Sequence, residues 1–388
     1  MLFTLTDEQR LIQSSALDWL GHHYDFRQRE ASVHRDGGAA GVWAAFAEMG
    51  WLGLALSEDV DGIEGGLMEK GLLMQALGRH LVVEPFHSSA VLAARLLDLA
   101  GSPAQRQQWL PAVVAGQQRL ALLHHEQGDA LPWGRRHCTA QARTTGWVLD
   151  GAKKAVVGAV GAARWLVTAT DGEGGTQVFL VDPEQAGVHI DAYGTSDGRQ
   201  AADICLEQVE VGHDALLDGA DCSAALERVL AEGIIAACWE ATGAMQAALE
   251  QTQLYTQQRK QFGQAIASFQ VVQHRLAEMA VQCAEAQAAC EFATMRLEKH
   301  SDMQARQLAA GVKSKVGRAS RFVAQECVQL HGAMGVCEEL PIASTFRLLT
   351  AFAHESGHAD SHAQWLGVQL ARTGGYAHSQ TLGAFDAP

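Results

Sequence analysis

The sequence predicts a three-zone α+β chain. A helical N-terminal domain covers residues 1–117, a middle antiparallel β-barrel or sandwich covers 118–228, and a C-terminal helical bundle covers 229–388. Three observations lead there. Apolar residues recur at three- and four-residue spacing up to about residue 117, give way to short β-branched runs, and return after about 229 as long helical stripes.

In the first zone, Thr6 and Gln9 have the spacing of a capping box and open a helix at "LTDEQRLI". "GVWAAFAEMGWLGLALSED" and "LMEKGLLMQALGRHLVV" continue the helical period, broken at glycines and at Pro85 and Pro103. In the second zone, "GWVLDGAKKAVV", "RWLVTAT", "TQVFLVDP", "GVHIDAY" and "ADICLEQVEV" read as strands bounded by Gly, Asp and Pro. In the third, Ile235, Cys238, Ala241, Met245, Ala248, Thr252 and Tyr255 trace one stripe. A second runs Val272, Leu276, Met279, Cys283, Ala286, Cys290, Leu297, and a third runs Leu308, Val312, Val316, Ala319, Phe322 and ends before Gly332. Such stripes on consecutive helices describe an antiparallel bundle. Between the first two, Gly263 is expected as a helix C-cap, with the next helix starting at Ser268.

The net charge of −15 argues against nucleic acid and against an anionic membrane surface as partners. An anionic small-molecule tail must therefore be met by local basic residues. No apolar run is long enough to span a bilayer, and the start lacks the basic and apolar regions of a signal peptide, so a cytoplasmic protein is expected. Eight cysteines include no C-x-x-C pair and read as buried, reduced thiols.

"HESGH", His354 to His358, has the H-E-x-x-H spacing of two helical zinc ligands with a general base between them. Gly357 inside the would-be helix counts against it, and Asp360 and His362 follow too closely to be a third ligand. No metal is expected. At "RKQFGQAIASFQ", Arg259 and Gln270 flank a helix corner. A guanidinium there can make paired hydrogen bonds to a phosphate, and Phe262 offers a flat apolar face. The plainer alternative makes Arg259 and Lys260 a solvated last-turn pair complementing the helix dipole.

"RKQFGQAIASFQ" resembles the R-x-x-F-G-x-x-I-x-x-x-Q signature of flavin-dependent acyl-CoA dehydrogenases, and "VQLHGAMGVCEELP" resembles that family's Q-x-x-G-G-x-G-x-x-x-E-x-P. The spacing between the two motifs and the order of the three zones also match, and the likeness covers essentially the whole chain. It implies the acyl-CoA dehydrogenase fold with a C-terminal four-helix bundle, bound FAD, and an acyl-CoA thioester as substrate. Arg259 matches the arginine on the dinucleotide pyrophosphate of the neighbouring subunit, and Phe262 and Gln270 match its companions. Gln329, Gly332 and Gly335 match the second loop, where Ala333 replaces the middle glycine. An obligate dimer follows from contacts that cross subunits.

In the family a carboxylate takes the α proton while the β carbon passes a hydride to the flavin, and electrons leave through an electron-transfer flavoprotein. In the commonest branch the carboxylate's place falls here on Ser356, with Glu355 adjacent. In another branch it falls on Gly233, with Glu232 adjacent. Both glutamates are thus candidate bases; in the plainer reading both face solvent. Where the family packs Trp and Thr against the flavin ring, this chain has Val156, Val157 and Gly158, and "HHEQGDALPW" replaces a flavin-side loop, making His124 and His125 loop or cofactor-rim residues.

These departures look most like the small-subunit branch of two-component dehydrogenases of pimeloyl-CoA and steroid side-chain-CoA degradation. That branch implies a bulky or dicarboxylic acyl group and a heterotetramer with a homologous large subunit as the source of the base. A self-sufficient homodimer using Glu355, and a non-catalytic FAD-binding or scaffolding subunit, are the alternatives. "HESGH" lies where the family closes its acyl site, which makes the zinc spacing a coincidence.

Overall fold

Helices open the chain because capping and apolar periodicity agree there. The structure is a computed structural model that describes residues 4–33, 39–297 and 302–372; the outermost ends of the first and last expected domains lie outside the described residues. Helix α1 (Asp7–His23) starts at a complete capping box in which Thr6 and Gln9 satisfy each other's backbone N–H. Helices α2 (Phe26–Val33), α3 (Ala40–Glu48) and α4 (Leu67–Arg79) follow. A π-helical stretch, His87–Ala94, runs into α5 (Arg95–Ala100), and α6 (Pro103–Val114) begins at a second capping box, Ser102 with Gln105, with proline in its first turn.

The middle zone holds β1 (Leu120–Leu123), β2 (Thr139–Arg143), β3 (Gly146–Val157), β4 (Arg164–Thr170), β5 (Thr176–Val181), β6 (Val188–Gly194) and β7 (Gln200–Val211). They form one sheet in the order β1-β4-β2-β3-β7-β6, with β5 also on β4. The expectation of a purely antiparallel sheet needs correction, because β1 and β2 both run parallel to β4. The long loop from Leu123 to Thr139 makes this possible, since parallel strands need a crossover of about a dozen residues or more. Lys153 pins that loop from inside the sheet. Fully buried, its Nζ donates to Glu126 Oε1 at 2.7 Å and to the Thr168 carbonyl at 2.6 Å. His124 is held by Thr168 Oγ1 and the Pro132 carbonyl, so it is a loop anchor.

Helix α7 (Cys222–Gln258) begins while the sequence still read as the β zone. It packs with α8 (Gln270–Leu297), α9 (Asp302–His331) and α10 (Pro341–His354) as a bundle, and α11 (Ala359–Arg372) lies on α9. The expected stripes form its core: Cys238, Met245, Met279, Cys283, Cys290, Val312 and Val316 are all buried. No helix among the described residues is long and apolar enough to cross a membrane.

Gly263 does not cap a helix. Helix α7 ends at Gln258 with Arg259 extended, and a two-stranded hairpin follows, β8 (Lys260–Gln261) and β9 (Gln264–Ala265). Phe262 (φ +51°) and Gly263 (φ +81°) form its two-residue turn, and positive φ at both central positions is what the right-handed twist of the strands selects. The next helix therefore starts at Gln270.

Helices α4 and α7 touch backbone to backbone. A Cβ on Gly78 would lie 1.9 Å from the Glu240 carbonyl oxygen, and one on Gly243 would lie 1.9 Å from that of Gln75. This contact joins the N-terminal domain to the bundle. We expect Gly78→Ala to destabilise the protein by about 1–3 kcal/mol, because overpacking against backbone outweighs the helix-propensity gain of about 0.5–1 kcal/mol. Urea unfolding checks it, and an unchanged or raised midpoint contradicts so close an approach.

Candidate functional site

Two places gather the residues the sequence singles out. At one end of the bundle, the β8–β9 hairpin projects Arg259 and Phe262 outward, with Phe262 91% exposed. The Phe262 ring meets Phe269 edge to face, and Gln270, the first residue of α8, is exposed beside them. Tyr255 stacks on His331 at 4.3 Å and donates to its carbonyl, tying the end of α7 to the end of α9. That tie brings Gln329 and Gly332 (φ +60°), both exposed, to the same end as Arg259. Gly335 is buried, its α-carbon set against the Val328 backbone. The Arg259 guanidinium has no ion-pair partner among the described residues, and α8 presents its dipole-positive N-terminal end from Gln270. The set suits an anionic dinucleotide.

The second place is a cleft where the three zones meet, about 350 Å³ with its open mouth included. Leu77 of α4, Pro85 and His87 line it from the N-terminal domain, Val157 and Arg199 from the sheet, and Glu240 from α7. Arg199 sits in the turn before β7. Its Nε donates to Asp197 Oδ2 at 2.7 Å and its Nη2 to Glu355 Oε2 at 3.0 Å. Asp197 is itself held from the N-terminal domain, where Arg29 Nη2 donates to its carbonyl at 2.7 Å. Sequence reasoning missed Arg199, Asp197 and Glu240. Only the Asp-Gly turn signal at 197–198 marks that stretch.

Glu355 does not face solvent as the plainer reading had it. It is the C-cap of α10, its side chain about a quarter exposed. Burial would raise its carboxyl, but the charges of Arg199, His87 and Lys313 overcome that and hold it down at about 2. Lys313 supports the same turn. Buried, it donates to the Phe352 carbonyl and lies over the Phe352 ring, a cation at the negative end of α10. Burial lowers its own pKa to about 8.

Glu232 is also buried, and it lies against α4 in a separate small cavity with Trp239. It accepts from Lys70 at 2.8 Å and Arg228 at 2.9 Å, with Arg95 at 3.5 Å. Burial opposes ionisation, yet these cations bring its pKa to about 2. A carboxylate held that low is a weak proton acceptor at neutral pH.

The zinc spacing of "HESGH" fails on geometry. Helix α10 ends at His354, Ser356 (φ +55°) and Gly357 (φ +101°) turn the chain, and α11 begins at Ala359, so the two histidines are not on one helix face. His362 serves the turn, its Nε2 2.8 Å from the Ser356 carbonyl.

Glu240 behaves oppositely to Glu355. Burial pushes its carboxyl up to about 7; Glu355 and Asp197 add to the rise, and Arg199 only partly offsets it. Between about pH 4.5 and 7 the folded chain thus keeps a proton that the unfolded chain has released. Stability should fall as pH rises through that window and level off above it, by up to about 3 kcal/mol. Glu240→Gln removes this dependence. We expect the variant to match the wild type near pH 5 and to exceed it near pH 8 in thermal unfolding, and parallel pH profiles would reject the assignment.

The chain matches the family model described as acyl-CoA dehydrogenase, N-terminal domain, over residues 6–117, and the model described as acyl-CoA dehydrogenase, C-terminal domain, over residues 222–368. It is 27% identical to acyl-CoA dehydrogenase FadE27 of Mycobacterium tuberculosis, across 86% of this chain and 88% of that one. It is also 27% identical to the mitochondrial long-chain specific acyl-CoA dehydrogenase of Mus musculus, across 84% and 76%. Among solved structures, a variant of the Tcur3481-Tcur3483 steroid ACAD superposes with a TM-score of 0.87 at 28% identity, covering 96% of this chain and 99% of that one. The ChsE4-ChsE5 complex from Mycobacterium tuberculosis does so with a TM-score of 0.87 at 24% identity, over 96% and 99%. Its two domain matches and its relatives show that the chain belongs to the acyl-CoA dehydrogenase family, oxidoreductases acting on the CH–CH bond of acyl-CoA thioesters.

Proposed function

We propose that the chain is one subunit of an FAD-dependent acyl-CoA dehydrogenase, in which a homologous partner supplies the carboxylate that takes the α proton. The observation that carries this reading is the state of Glu355 and Glu232. Each stands next to a position the family uses for its base, and each is ion-paired and held ionised. The likeness to the steroid ACAD, which carries two chain names, supports a two-chain assembly.

Arg259, Phe262, Gln270, Gln329, Gly332 and Gly335 would hold the dinucleotide. The guanidinium and the α8 N-terminus neutralise the pyrophosphate, Phe262 covers an apolar face, and the glycine turn allows close backbone approach. When bound, the flavin supplies the hydride acceptor, and an electron-transfer flavoprotein takes the electrons onward. The acyl group, bulky or dicarboxylic, is then selected by the partner's cleft.

The test uses the assembly as it purifies with its partner. Arg259→Ala in this chain should lower bound FAD at least about tenfold, as loss of a charge-assisted phosphate contact implies. Glu355→Gln and Glu240→Gln should leave acyl-CoA-dependent dye reduction within about twofold. Loss of a true base costs about 10²–10⁴-fold, and such a loss in either variant puts the base back in this chain.

A further inference from the structure

We infer that this chain keeps its own cleft closed to flavin ring and acyl thioester with an Asp197–Arg199–Glu355 clasp, while its Arg259 hairpin serves the flavin of a homologous partner chain. The inference rests on the subunit reading above and adds which cleft is shut, and by what.

Space is the first argument. Val157, the last residue of β3, lines the cleft, and Gly158 just after it lies directly on the N-terminal domain. A Cβ on Gly158 would sit 2.4 Å from Ser88 Oγ and 3.0 Å from Pro85 Cβ, which leaves no gap for a flat ring between strand and helix. What opening remains is crossed by Arg199, whose guanidinium joins the sheet to the C-terminal turn of α10.

Charge is the second. Small-molecule sites are mostly apolar with a few placed polar groups. Here Asp197, Glu240 and Glu355 gather near one guanidinium. Removing an α proton develops negative charge on the thioester oxygen, and an excess of carboxylates opposes it. Swinging Arg199 aside to make room would leave Asp197, only 2% exposed, as a buried charge without its partner.

Distance is the third. Nineteen residue steps along α7 and its C-cap separate Glu240, at the cleft, from Arg259, a span of about 28 Å at 1.5 Å per residue. That is longer than an extended flavin dinucleotide. This separation agrees with what the family resemblance implies, that a dinucleotide on Arg259 has its ring in another chain's cleft.

The experiment starts with the chain purified alone and dialysed against FAD, with flavin per chain read from visible absorbance after gel filtration. We expect far less than one equivalent. The Arg199→Gly, Glu355→Ala double variant, checked for folding by circular dichroism, should gain flavin, read as at least a tenfold stronger quenching of flavin fluorescence at equal protein. In the assembly with its partner, flavin should equal half the total number of chains. A full equivalent in the lone wild-type chain overturns the inference. If an acyl-CoA thioester then bleaches that flavin anaerobically, the partner-supplied base fails too; if the flavin stays unbleached, the subunit reading stands and only the closed cleft is lost. A folded double variant that gains no flavin shows that the clasp is not the barrier and overturns its assignment.

Discussion

One guanidinium holds the meeting point of the three domains. Arg199 belongs to the sheet, Glu355 to the bundle, and Asp197 passes the connection to Arg29 of the N-terminal domain through its carbonyl. Each of these charges would be costly alone at a buried junction, because an ion stripped of water needs a partner and hydrogen bonds to remain charged. Their mutual satisfaction fixes the relative placement of strand end, α10 turn and α2. The backbone contact of α4 with α7 at Gly78 and Gly243 sets the remaining wall. The cleft is thus what remains after two rigid contacts have been made.

Much of the architecture was legible because it follows from local periodicity. The stripe through Cys238, Met245 and Ala248 is buried as its 3.6-residue period requires, and the Thr6–Gln9 box forms because its two partners are three residues apart. Legibility ended where a longer-range or rarer conformation decided. Gly263 has the look of a helix C-cap, yet it and Phe262 supply the two left-handed residues of a hairpin turn. The parallel pairing of β1 with β4 depends on where a long loop delivers β2, which no alternation of side chains records.

The site divides along the same line. Arg259, Phe262 and Gln270 lie within twelve residues, so one motif carries them, and the structure leaves them exposed together at the end of α7. The clasp joins residues 156 positions apart in the pair Arg199 with Glu355, and 168 apart in Arg29 with Asp197. Nothing in the composition of either segment announces the other. Glu355 was visible as a carboxylate beside the expected base position, but not that a guanidinium from the sheet would already hold it. Glu232 was visible in the same way, and Lys70, Arg95 and Arg228 hold it just as firmly.

The behaviour of the cleft's carboxyls shows why holding and catalysis compete for this space. The guanidinium's hydrogen bonds go to Asp197 and Glu355, and Glu355 stays ionised down to about pH 2. Glu240 is pushed up to about 7 chiefly by burial, with the charges of Glu355 and Asp197 adding to the rise. A general base needs a pKa near the working pH together with room for the carbon acid beside it. Glu355 has neither, since its proton affinity is spent on Arg199 and its free face is small. Glu240 has the affinity but stands in a cleft that the clasp already fills. Burial is the main cause of that affinity, so the enclosure that makes Glu240 basic is the same enclosure that leaves no room for a carbon acid beside it. On the subunit reading proposed above, the charges that join the domains are also what would keep the family's chemistry out of this junction, and the exposed hairpin about 28 Å away along α7 would be the chain's contact with a cofactor.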